Sequence, residues 1–238
     1  MALFAIADLH FAFSVDKPMD IFGENWKNHS EKIIASWKEH ITEEDTVLLP
    51  GDLSWGMRID EAAADLDVIY SLPGRKILLG GNHDYWWKSS SKLEARYPGM
   101  RFLKNNFDRY ADWHICGTRG WLCPNDVQFT EQDKKIYERE QVRLRLSLDA
   151  AMRDGAEKII LMMHFPPMND KQEDSAFTAL FREYPIKKLV HQFRSLRPVY
   201  GHLHGAASHK TAFEGKREGI DYALIAADYI AFCPRRIL

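Results

Sequence analysis

Cysteine is scarce in this chain, long apolar runs are missing, and neither sign of charge prevails. The three cysteines, Cys116, Cys123 and Cys233, form no C-x-x-C pair. An odd and sparse set of this kind argues against a disulfide framework and suits a reducing cytoplasm, where each cysteine is expected to be a small buried hydrophobe. No apolar run approaches the roughly 18 to 20 residues of a membrane-spanning helix. The apolar start, MALFAIADLHF, has no basic flank and is interrupted by Asp8 and His10, so a signal peptide is not expected. Lys and Arg number 32 against 34 Asp and Glu, a formal net charge of −2. That balance gives no general attraction to nucleic acid or to an anionic membrane. Internal repeats, low-complexity segments and linkers rich in Gly, Ser or Pro are also missing, and the expectation is a single domain over residues 1–238.

What the chain does contain is a series of apolar runs of strand length: LFAIA (3–7), TVLLP (46–50), KILLG (76–80), WHICG (113–117), KIILMM (158–163) and PVYG (198–201). Most are nearly continuous rather than alternating, as expected for strands covered on both faces. Helical patterns lie between several of them. Trp26, Ile33, Trp37 and Ile41 fall close to one stripe. Ala62, Ala63, Leu66, Ile69 and Tyr70 make a second, ended by Pro73-Gly74. Thr130 and Asp133 resemble the capped start of a long helix running to about Arg153, with Gly155 as its stop. Strand–helix alternation predicts an α/β sheet. Near the C-terminus, SHKTAFEG and GIDYALIAA read as short strands with no helix between them, an antiparallel tail belonging to a second sheet.

Residue types that ligate metals fall at the ends of these runs. Asp8 and His10 follow LFAIA, and Asp52 follows TVLLP. Asn82 and His83 follow KILLG, His164 follows KIILMM, and His202 and His204 follow PVYG. Ligands bind at the carboxyl ends of strands in open α/β sheets, so these side chains are expected to converge. Gly51, Gly81 and Gly201 stand just before Asp52, Asn82 and His202, where a sharp turn or a close backbone approach suits glycine. Four imidazoles, two carboxylates and one amide oxygen exceed one tetrahedral zinc site and suit two divalent ions. The mixed nitrogen and oxygen donors favour Mn, Fe, Zn or Ni over Mg or Ca. Singly, D-L-H and G-D are ordinary turn signals. G-H-L-H-G is stronger, because two His at i, i+2 on an extended segment share one side. G-N-H-D occurs by chance in such a chain on the order of one time in a thousand.

The ordered blocks Asp8-x-His10, Gly51-Asp52, Gly81-Asn82-His83-Asp84, His164 and Gly201-His202-x-His204 resemble the calcineurin-like metallophosphoesterases. The resemblance implies a four-layer α/β/β/α sandwich of two mixed sheets. It assigns Asp8, His10, Asp52 and His204 to a first metal and Asp52, Asn82, His164 and His202 to a second. A hydroxide between the two ions would attack the phosphorus. His83 would ligate neither ion and would lie beside the substrate phosphate, with Asp84 the adjacent candidate to position it. The Ser/Thr protein phosphatase branch carries G-D-x-V-D-R-G and G-N-H-E; here Trp55 stands where its second Asp orients the catalytic histidine, which argues against that branch.

The implied substrate is a small phosphoester, most simply a diester such as a cyclic nucleotide. Monoester hydrolysis, a nuclease activity and a non-catalytic interaction module are the alternatives. The balanced charge argues against the nuclease, and retention of His83 against the module. Around the site, Trp86 with Tyr85 and Trp87 reads either as a stacking wall or as a hydrophobic shell, and Arg119 either as a phosphate contact or as a structural arginine. Arg58 and Lys171 are weaker candidates expected to be solvated. His29, His40, His114, His191 and His209 have no partner block and read as ordinary histidines.

Overall fold

A computed structural model describes residues 1–124, 129–184 and 196–238. Eleven strands and six α-helices alternate along them: β1 (Leu3–Ala5), α1 (His29–His40), β2 (Thr46–Pro50), α2 (Ile59–Ser71), β3 (Arg75–Leu79), α3 (Ser90–Arg96), β4 (Arg101–Phe102), β5 (Asp108–Tyr110), β6 (Trp113–Thr118), α4 (Glu131–Arg153), β7 (Ile159–Met163), α5 (Ala176–Glu183), β8 (Leu196–Tyr200), α6 (Gly205–His209), β9 (Gly215–Arg217), β10 (Ile220–Leu224) and β11 (Arg235–Arg236). They form two mixed sheets, ordered β11-β1-β2-β3-β4 and β5-β6-β7-β8-β10-β9. Strands β1 to β4 are parallel and β11 closes their edge antiparallel to β1. In the second sheet β6, β7, β8 and β10 are parallel, with antiparallel β5 and β9 at the rims.

The near-continuous apolar runs are explained by the layering, because each central strand buries both faces. Leu48, Ile77, Ile160 and Met162 fill the space between the sheets. Val47, Leu49 and Leu78 face the other way, onto Ile33 and Trp37 of α1 and Leu66 of α2. Leu161 and Met163 face Leu144 and Leu148 of α4 and Phe177 of α5. The result is the expected four-layer α/β/β/α arrangement, two mixed sheets flanked by helices.

Helix α4 starts and stops where the sequence predicts. Thr130 and Asp133 cap it reciprocally, and Gly155 follows it at φ +83°. Three local expectations need correction. Trp26 is buried but precedes α1 in a short 3₁₀ turn, because Asn28 at φ 55° separates the two. Tyr70 is exposed on α2 rather than part of its buried stripe. SHKTAFEG is not a strand: it leaves α6 through a turn, and only Gly215 enters β9. The antiparallel tail is therefore the β9–β10 pair alone, since β10 itself runs parallel to β8.

Cys116 and Cys123 are buried, Cys233 is half-buried, and all three are free thiols. Burial pushes the Cys116 and Cys123 thiols up to about 12, which suppresses the reactive thiolate. A disulfide-exchange reagent at pH 8 is expected to titrate at most Cys233 rapidly in the native chain and three thiols after unfolding. Rapid loss of all three in native buffer would contradict this packing.

Candidate metal centre

The strand ends that carry the candidate ligands are tied to one another by backbone hydrogen bonds. Beyond β1 and β2 the chain continues as paired loops: Asp8 N–H donates to the Gly51 carbonyl (2.9 Å), His10 N–H to that of Asp52 (3.0 Å) and Phe11 N–H to that of Leu53 (3.1 Å). His202 N–H donates to Asp8 Oδ2 at 2.9 Å, which ties the second sheet to the first. Four of the candidate ligands occupy the left-handed backbone region: Asp8 (φ 61°), His10 (φ 46°), Asp52 (φ 53°) and His202 (φ 71°). Each such residue costs about 1–2 kcal/mol relative to an ordinary conformation. Four together in one crevice mark a place shaped for the position of its side chains.

Those side chains form two clusters, Asp8–His10–His204 and Asp52–His164–His202, each with ligand atoms within 4.8 Å of one another. Asn82 joins the second, its Oδ1 lying 2.7 Å from His164 Nε2. Asp52 stands between them: its Oδ2 is 3.3 Å from His164 Nε2 and 3.8 Å from His10 Nε2. Asp8 Oδ1 and His10 Nδ1 are buried with no hydrogen-bond partner among the described residues. His10 Nε2 and His204 Nε2 face each other at 3.4 Å. Lone pairs gathered in this way, from nitrogen and oxygen donors alike, fit divalent cations.

The electrostatics agree. Burial acts to raise the Asp8 and Asp52 carboxyls, but the neighbouring imidazoles outweigh it and both lie below the usual carboxylate range. Burial pushes His10 down to about 4 and His202 to about 3, which keeps both neutral, the form that ligates. Burial also opposes charge on His204, yet the Asp8 and Asp228 carboxylates raise it to about 10. A cation between Asp8 and His204 would take the place of that proton.

Residues 1–206 match the family description of the calcineurin-like phosphoesterases. The chain belongs to this family. It is a metal-dependent phosphoester hydrolase of the calcineurin-like type, with two candidate metal-binding sites. A relative named "Probable cyclic nucleotide phosphodiesterase" from Vesicomyosocius okutanii subsp. Calyptogena okutanii (strain HA) is 26% identical over 214 residues, 88% of this chain and 81% of its own. Among solved structures, the phosphopantetheinyl hydrolase of Mycobacterium tuberculosis aligns over 100% of this chain and 95% of its own with a TM-score of 0.50 at 16% identity. A protein of unknown function from Aquifex aeolicus aligns over 99% and 95% with a TM-score of 0.47 at 15% identity. At 16% identity the likeness to the phosphopantetheinyl hydrolase concerns the fold alone. Among the described residues no helix is long and apolar enough to cross a membrane.

Within this calcineurin-like phosphoesterase, His83 belongs to neither cluster. Its backbone N–H donates to Asp52 Oδ1 at 2.8 Å, and its partly exposed ring lies 4.4 Å from that of Trp55. Trp55 also stacks on His10, with centroids 4.8 Å apart and 24° between planes. An indole thus packs the two imidazoles where the protein-phosphatase branch has a carboxylate.

The Asp84 carboxylate makes no hydrogen bond to the His83 ring among the described residues; its partners are backbone N–H groups and an indole. Asp84 Oδ2 accepts the N–H of Asp52 and of Gly81, both at 2.8 Å, and Oδ1 accepts that of Leu53 at 2.9 Å and the Trp86 indole at 3.1 Å. It clamps two ligand loops together. Burial and the charge of Asp52 raise its carboxyl to about 7. Trp86 is buried in the core beneath the loop, so it is shell rather than a substrate wall. Arg119 lies over the Trp121 ring, 4.6 Å from its centroid, and 3.6 Å from Glu140. Arg58 is exposed and pairs with Glu61 at 3.2 Å, and Lys171 is exposed. His191 lies outside the described residues.

Sequence reasoning missed the residues that hold the ligands. Asp228, whose side chain is buried, accepts from His204 Nδ1 at 3.0 Å and from Gly205 N–H at 2.8 Å. His29, read as ordinary, lies with Nε2 3.1 Å from the His10 carbonyl, and Pro50 accepts from His164 Nδ1 at the same distance. The Asp228 and Pro50 contacts leave Nε2 of His204 and of His164 to face a cation, whereas His29 steadies the His10 backbone. Asp228→Ala is expected to weaken one of the two metal affinities by about 10- to 100-fold, read by metal titration, and to spare the cluster around Asp52. Two unchanged affinities would remove Asp228 from the site.

Proposed function

We propose that this phosphoesterase is a phosphodiesterase acting on small nucleotides or related diesters. The observation that carries the reading is the placement of Asp52 between two ligand clusters, with the partly exposed His83 beside it. Asp8, His10, Asp52 and His204 would hold one ion and Asp52, Asn82, His164 and His202 the other. Such a pair, when bound, would supply positive charge to the phosphate oxygens and a water of lowered pKa. Asn82 adds a ligand without adding charge, so the charge of the ions remains available to the ester. The His83 ring donates a hydrogen bond to an ester oxygen as negative charge builds on it, or passes a proton to the leaving oxygen.

A diester is favoured by the cleft over these residues, about 130 Å³ in volume, with Met19, Phe22 and Trp55 among its walls. Apolar walls suit the second substituent of a diester. No Lys or Arg lines this cleft among the described residues, whereas the dianion of a monoester would gain from one. The experiment is hydrolysis of bis-p-nitrophenyl phosphate and p-nitrophenyl phosphate with Mn²⁺ and with EDTA. The diester is expected to be cleaved faster, and EDTA to abolish the reaction. Cleavage of neither would favour a binding module, and preference for the monoester would overturn the diesterase assignment.

A further inference from the structure

Beside the ligand crevice lies a second and larger cavity, about 280 Å³ in volume. Gly81 following β3, Arg119 following β6, Lys104 following β4, and Arg139, Glu140 and Arg143 on α4 border it. Glu140 is buried and organises the cluster. Its Oε2 accepts from the Thr118 hydroxyl at 2.7 Å. Its Oε1 lies 2.7 Å from Arg143 Nη1, 3.6 Å from Arg119 Nη2 and 3.7 Å from Arg139 Nη2. Only the first of these three is a hydrogen bond.

Satisfying Glu140 requires one guanidinium, and three surround it with Lys104 nearby. The other carboxylate bordering the cavity, Asp84, is already committed to backbone N–H groups. Arg119 Nε is buried without a hydrogen-bond partner among the described residues. Burial lowers the Arg119 pKa against the attraction of Glu140, with a smaller push from Arg139 and Arg143. Guanidinium forks match the paired oxygens of a phosphate. The cavity is also one residue removed from the candidate metal ligands. Gly81 precedes Asn82, and the Arg119 carbonyl accepts the N–H of His164 at 3.1 Å. Gly81 and Arg119 therefore belong both to the cavity wall and to the segments that adjoin Asn82 and His164.

We propose that this cavity is an anion subsite that holds a second phosphate group of the substrate, apart from the ester that is cleaved. Anion binding stands independently of the phosphodiesterase reading; its assignment to the substrate rests on that reading. The full chain in EDTA, titrated calorimetrically with inorganic phosphate, is expected to show one saturable site. Lys104→Gln/Arg139→Gln, both exposed positions, should weaken it roughly tenfold or more while the melting curve is retained; Arg139→Glu serves as a second variant. No saturable binding by the wild-type chain, or binding indifferent to these substitutions, overturns the subsite. With Mn²⁺, the p-nitrophenyl ester of thymidine 5′-phosphate is compared with the same ester bearing a 3′-phosphate. The additional phosphate is expected to lower KM, and the double variant to lose that advantage. Equal KM values in the wild-type enzyme would overturn the substrate assignment and leave free phosphate as the ligand. Cleavage of neither ester would instead overturn the phosphodiesterase reading, while the titration in EDTA would stand.

Discussion

His83→Ala is expected to retain both metal ions and to lose about 10²- to 10⁴-fold in kcat on bis-p-nitrophenyl phosphate. Retention follows from geometry, since both ligand clusters are complete without the His83 ring. The loss follows from its place: the side chain is 35% exposed, with Nε2 4.0 Å from Asp52 Oδ2, and stands outside both ligand clusters. Hydrogen bonds that strengthen in the transition state lower the barrier, and the proposed function gives that task to the partly exposed His83 ring. The measurement pairs steady-state kinetics with metal content by emission spectroscopy. A variant within a few-fold of the wild-type rate would refute the role, and one that loses metal would show His83 to be a ligand.

Gly81→Ala is expected to abolish tight binding at the cluster around Asp52 and to lower the melting temperature. A Cβ at this position would overlap the Asp52 backbone nitrogen and carboxylate, and would lie 2.8 Å from Asp52 Cγ. Asp52 cannot retreat, because Asp84 holds both the Asp52 and Gly81 N–H groups on one oxygen. Overpacking of this kind costs about 1–3 kcal/mol, with a shift of roughly 2–4 °C per kcal/mol in a chain of this size. Gly155→Ala is the control, since nothing lies within 4 Å of its added methyl group. It strains a residue at φ +83°, far from the crevice in sequence, and is expected to lower stability while leaving metal content at the wild-type level. Calorimetry and metal titration on the two variants separate the effects, and normal metal affinity in Gly81→Ala would show that the two loops are not locked together.

The legible parts of the molecule were those in which sequence and burial carry the same signal. Strands covered on both faces leave continuous apolar runs, so β2, β3 and β7 stood out, as did the polar residues that end them. Short rim strands such as β4 and β11 bury too little to leave such a run. G-N-H-D announced a cluster, but adjacency in sequence did not reveal that Asp84 points back at two loops while His83 faces the crevice. Asp228 lies in a turn with no motif around it, and its link to His204 spans 24 residues. Nor does any residue pattern announce four ligands with left-handed backbones, because that conformation is imposed by the paired loops.

Strand β1, which leads into Asp8 and His10, is flanked on one side by β2 and on the other by β11, formed from residues 235–236. The two ends of residues 1–238 thus meet beside the crevice, and the strand that aims Asp8 and His10 has one of its edges sealed by the far end of the described chain. Deleting residues 235–236 would strip that edge and loosen the aim of the first ligand loop without removing a single coordinating side chain.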